Sequence, residues 1–143
     1  MSTRYSLLIR LKERDVGRLT ADHRYRQQIV ENLDVQRQNL AALTDEYRQS
    51  AGEYSGLPQL LKQRHALLRS LLEADTALSL QRSSATEDLA RVHRALVGAQ
   101  ARLAALRRLE SIEVQERARR RRRRERKAVL NQWTLSRQEG PKI

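Results

Sequence analysis

Residues 61–106 read LKQRHALLRSLLEADTALSLQRSSATEDLARVHRALVGAQARLAAL, and the spacing of their apolar side chains decides the fold. Positions 61, 64, 68, 71, 75, 78, 82, 85, 89, 92, 96, 99, 103 and 106 follow an unbroken alternation of threes and fours. Eleven of the fourteen are apolar: Leu61, Leu68, Leu71, Leu78, Ala85, Leu89, Val92, Leu96, Ala99, Leu103 and Leu106. A repeat averaging 3.5 residues, held for about six heptads, keeps one narrow stripe turned toward a partner helix, which is the pattern of a coiled-coil seam. Arg64, Asp75 and Arg82 interrupt it; polar residues at such positions weaken a seam and fix its register. Ser84-Ala85-Thr86-Glu87 has the form of a capping box. The seam keeps its phase through that site, so one continuous helix is expected.

The partner lies upstream. Two glycines and a proline fall within Ser50-Ala51-Gly52-Glu53-Tyr54-Ser55-Gly56-Leu57-Pro58, which reads as a turn with Pro58 at the first helical position, where its missing N–H costs nothing. So short a connection forces an antiparallel hairpin. Residues 3–49 carry a weaker seam through Ile9, Val16, Leu19, Val30, Leu33, Leu40 and Tyr47, interrupted at Lys12, His23, Arg26, Arg37 and Thr44. Opposite charges four residues apart, Asp22 with Arg26, Glu87 with Arg91 and Glu113 with Arg117, are expected to add a few tenths of a kcal/mol each. The expectation is an all-α chain forming one elongated domain: an antiparallel two-helix coiled coil with helices over 3–49 and 58–135, a turn over 50–57 and a flexible tail over 136–143. At 1.5 Å per residue the arms span roughly 70 and 110 Å, so that the second overhangs beyond about Leu106.

Composition agrees. The chain has no Phe, a single Trp, five Gly and two Pro among 143 residues, which suits long helices with a thin core better than a globular interior. No Cys is present, which removes disulfides, thiolate metal sites and a thiol nucleophile and fits a cytosolic setting. The cluster Leu7-Leu8-Ile9 is broken at once by Arg10 and Lys12, too early for a signal segment or a membrane span. His23, His65 and His93 are far apart in sequence and no phosphate-binding glycine loop exists, so no catalytic, cofactor or metal-binding residue is assigned and no small-molecule substrate is expected. Carboxylates on a thin rod cannot be enclosed and tuned by desolvation, so an enzyme is not expected.

Charge then points to a partner. The formal net charge is +12, and residues 57–143 hold twenty Lys/Arg against nine Asp/Glu while residues 1–56 are nearly balanced. The excess concentrates in Arg117, Arg119, Arg120, Arg121, Arg122, Arg123, Arg124, Arg126 and Lys127. Six consecutive arginines point to every side of a helix and leave no stripe for another helix to cover. Val129, Leu130 and Trp133 follow before Gly140 and Pro141, so the helix is expected to run on through the basic stretch. Two classes of partner fit. A nucleic acid would be held non-specifically and with strong salt dependence, because the run has no interleaved aromatics. An acidic protein groove or ring would exploit bidentate pairing by Arg, and Arg outnumbers Lys twenty-five to four.

The chain resembles the FliJ and YscO-like stalk proteins of flagellar and virulence type III secretion systems. The opening Leu7-Leu8-Ile9-Arg10-Leu11-Lys12-Glu13-Arg14-Asp15-Val16, then Leu109-Glu110 and Glu125-Arg126-Lys127-Ala128-Val129-Leu130-Asn131-Gln132, are similar to that family's first turns and its C-terminal glutamate-x-lysine element. Asn131-Gln132 departs from the acidic residues common there. The resemblance implies a non-enzymatic central stalk, similar in shape to the gamma subunit of rotary ATP synthases, that works in the bacterial cytoplasm at the face of the inner membrane. Its partners would be a hexameric export ATPase, entered by the paired termini and the basic residues above, the cytoplasmic domain of the export gate, and secretion chaperones. With those partners the chain is expected to be monomeric. Tyr54, Leu57 and Leu60 at the hairpin tip have two readings, gate contact or packing that closes the hairpin.

Overall fold

The computed structural model describes residues 4–50 and 58–138. Two helices account for almost all of them: α1, Ser6–Ser50, and α2, Pro58–Gln138. There is no strand among the described residues. The first backbone bond of α1 runs from Ile9 N–H to the Tyr5 carbonyl at 2.8 Å. Arg48 and Arg137 lie in the last turns of the two helices, where a cation complements the negative end of the helix dipole. Tyr54 and Leu57 lie outside the described residues. The helices divide into two compact units, one comprising Val16–Gly98 and the other Met1–Asp15 with Ala99–Ile143.

In the Val16–Gly98 unit the two helices pack antiparallel, as three cross-helix ion pairs demonstrate. Arg26 meets Asp88 at 3.3 Å, Asp34 meets Arg82, and Arg37 meets Asp75 at 3.4 Å, so residue numbers rise along one helix as they fall along the other. In the other unit Glu13 with Arg107 at 3.2 Å and Arg4 with Glu113 at 3.9 Å show the same direction.

The seam is the packed stripe. All fourteen α2 positions from 61 to 106 are shielded from solvent, and the only other shielded residues of that helix are Asp88, Gly98, Glu110 and Glu113. Along α1 the positions 9, 12, 16, 19, 23, 26, 30, 33, 37, 40, 44 and 47 are shielded as well, including every polar interruption. Ile9, Leu71, Leu96, Ala99 and Leu103 are the buried apolar residues. Each buried leucine or isoleucine contributes about 1.5–3 kcal/mol. Two helices alone cannot enclose a side chain on all sides, and none is fully sealed from water.

Polar seam residues acquire specific partners. Besides Asp88, Arg26 reaches Asp22 at 3.3 Å. Arg64 donates to the Tyr47 carbonyl at 3.1 Å and to the Ser50 hydroxyl, tying the start of α2 to the end of α1. These groups are only partly buried, so each pair is worth about 0.2–1 kcal/mol. Their larger effect is on register, because a slip of one heptad breaks these pairs and sets Asp34 opposite Asp75 or Arg37 opposite Arg82, according to its direction.

No new helix begins at Ser84. Helix α2 is unbroken there, and the Thr86 hydroxyl donates to the Arg82 carbonyl four residues back at 2.7 Å, which satisfies it inside the helix. Asp22–Arg26 and Glu113–Arg117 form the local pairs expected of their spacing. Arg91 does not turn to Glu87; it pairs with Asp88 at 3.6 Å, a carboxylate already drawn into the interhelical face by Arg26.

Candidate functional site

The shielded stripe of α2 ends at Glu113. That carboxylate, with a side chain 19% exposed, accepts from Arg117 Nη2 at 3.1 Å and lies 3.9 Å from Arg4, just before α1. From Val114 to Gln138 every residue is exposed. The nine basic candidates, Arg117, Arg119 to Arg124, Arg126 and Lys127, therefore sit together on one helical stretch with their heads in water. Only Arg117 has an ionic partner, Glu113, among the described residues.

Local sequence explains why so charged a stretch is helical. Arg, Ala, Glu, Gln and Lys are good helix formers, and residues 115–128 contain nothing else. Yet the run holds nine cations against Glu125 alone, a net charge of +8 in eleven residues. Cations three and four apart repel by a few tenths of a kcal/mol each, and among the described residues no carboxylate forms an ion pair with Arg119 to Arg124. An incoming anion gains both the attraction and the relief of that repulsion. Electrostatically, the arrangement suits a polyanion.

After the run come Val129, Leu130, Trp133 and Leu135, which are 64, 62, 56 and 60% exposed. The Arg137 guanidinium lies 4.1 Å from the Trp133 ring centroid, a cation–π contact on an open surface. Thr134 and Ser136 donate to the Leu130 and Trp133 carbonyls, the latter at 3.1 Å, so their hydroxyls are satisfied locally.

At the opposite end of α2, Leu60 is 39% exposed and lines a shallow apolar groove with Tyr47, Leu61, Arg64 and Leu67. It is brought together there with the end of α1. A second apolar groove, formed by Leu8 and Leu11 of α1 with Leu106 and Leu109 of α2, lies beside Arg102 and Lys12. Sequence reading missed it, although Leu8 and Leu11 at a three-residue spacing beside the first seam position are its signal.

One further grouping depends on the pairing of the helices. His23 and His93, seventy residues apart in the chain, place their ring centroids 5.4 Å apart at a 45° tilt. No group of three or more His, Cys, Asp or Glu suited to a metal ion occurs among the described residues. Also among these, no helix is long and apolar enough to cross a membrane.

Comparison with known proteins returns no match: no family model, curated protein or solved structure is significantly similar to the chain.

Proposed function

We propose that the chain is a non-enzymatic stalk of a type III secretion export apparatus, whose basic helical end enters the acidic pore of a hexameric export ATPase and couples it to the export gate. The observation that carries this reading is the uninterrupted exposure of Val114 to Gln138 around nine cations. A helix that overhangs its coiled-coil partner is the right shape for a narrow axial channel: it is roughly 10–12 Å across and presents arginine on every side. In such a channel the guanidiniums pair with carboxylates from several subunits at once, which Arg does better than Lys because its planar fork binds bidentately.

The same reading assigns the export gate to the hairpin tip around Tyr54, Leu57 and Leu60, and places the stalk in the bacterial cytoplasm at the face of the inner membrane. Secretion chaperones are further partners under it, and one chain serves one ring. Exchange of Arg119 to Arg124 for Gln tests it, since glutamine keeps helix propensity and removes charge. That variant should retain the helical circular-dichroism spectrum of the parent yet fail to stimulate the hexameric export ATPase of the same organism. Full stimulation by the variant contradicts the assignment. Non-specific nucleic-acid binding is the second reading, and it gains nothing from Val129, Leu130 and Trp133, which lie beyond the cationic run.

A further inference from the structure

The exposed segment of α2 has two parts, and the stalk reading uses only the first. Taken at 100° per residue, Val129, Trp133 and Leu130 fall within an arc of about 100°, and that arc also carries Arg119, Arg122, Arg126 and Arg137. Leu135 falls on another side. One side of the segment therefore presents a row of guanidiniums followed by an apolar patch with a tryptophan in it. All of these residues are exposed.

We propose that residues 117–137 dock in the plane of an anionic lipid bilayer, with the arginine run along the headgroups and Val129, Leu130 and Trp133 seated at the acyl boundary. Charge selects the surface. A net +8 over residues 117–127 is drawn to acidic headgroups and has no comparable attraction to zwitterionic ones. The apolar trio selects against the other polyanions. A phosphate backbone offers valine and leucine nothing, and the run has no aromatics between its cations on which bases could stack. Trp133 supplies the amphipathic ring that favours the membrane interface, and Arg137, already 4.1 Å from that ring, can reach the headgroups from the same side. A second copy of the chain is a poor occupant, because both surfaces carry the same strong positive charge. The segment would lie on the bilayer, since it is not apolar enough to cross it. Lipid and an acidic protein channel compete for the same arginines, so a stalk engaged with its ring would leave the membrane.

Trp133 is the only tryptophan of the chain, which makes its emission a reporter of the proposed contact. The full chain is titrated with phosphatidylcholine vesicles containing or lacking phosphatidylglycerol, without any ATPase, so the outcome is independent of the stalk reading. The expected result is a blue shift with the anionic vesicles alone, quenched by lipids brominated along the acyl chain. The Arg119 to Arg124 Gln variant should bind them at least about a hundredfold more weakly. V129N/L130N, changed only at exposed positions, should bind about tenfold more weakly with the emission returned toward its value in water. Unshifted emission with anionic vesicles, an equal response to pure phosphatidylcholine, or single-stranded RNA binding tightly while vesicles do not, would each overturn the proposal.

Discussion

Leu103 and Leu130 are both leucines of α2, and their truncation should have unequal consequences. Leu103 is 7% exposed on the seam of the unit that contains Ile9, whereas Leu130 is 62% exposed beyond the last shielded residue. Burying a leucine is worth about 1.5–3 kcal/mol, and deletion to alanine in a closed core costs about 2–5. A two-helix seam is open at its flanks and water can refill the space, so Leu103→Ala belongs near the lower end, at about 2–3 kcal/mol. Leu130→Ala loses little burial and gains slightly in helix propensity, so its effect should stay within about 0.5 kcal/mol of zero. Urea unfolding followed by far-ultraviolet circular dichroism measures both, with amide hydrogen exchange showing that Leu103→Ala loosens α1 near Ile9 and the facing turns of α2. Equal destabilisation by the two substitutions would refute the reasoning, because it would mean that the 114–138 stretch packs against something in the free chain.

Three other outcomes follow from particular contacts. Gly17 and Gly98 both lie inside helices with no positive φ, and a Cβ built on either meets nothing within 4 Å; Gly17→Ala and Gly98→Ala should each stabilise the chain by about 0.5–1 kcal/mol, read as a rise in Tm. Arg37→Asp or Asp75→Arg alone should destabilise by roughly 1 kcal/mol through a like-charge encounter across the seam, and the double exchange should recover most of that in a double-mutant cycle. Binding of any polyanion to the basic run should weaken steeply as salt rises from 0.05 to about 0.2 M, by on the order of a hundredfold or more, and the Gln variant should lose most of that dependence.

The fold was legible because both halves of the coiled coil carry their own seam. The seam positions from 61 to 106 of α2 and from 9 to 47 of α1 are all shielded, polar interruptions included. An alternation of threes and fours is a statement about geometry that survives the substitution of Arg64, Asp75 or His23 for a leucine. Apolar counting stopped at Leu106 because Glu110 and Glu113 continue the spacing as charged residues, and their shielding becomes visible only with α1 beside them. Pairings that depend on the register between helices, Arg26 with Asp88 or His23 with His93, could not be read from either arm alone. For the site, the exposure of Arg119 to Arg124 was evident from the run itself, since no helix face remains to be buried. The identity of the partner was not, because a guanidinium accepts carboxylate and phosphate alike.

The central claim, that the exposed basic end of α2 enters a ring, is tested most directly by titrating the full chain into the purified hexameric export ATPase of the same organism and measuring stoichiometry by calorimetry. The account gives one chain per six ATPase subunits, with binding lost when Arg119 to Arg124 become Gln. Six chains per hexamer, or undiminished binding by the Gln variant, would contradict it.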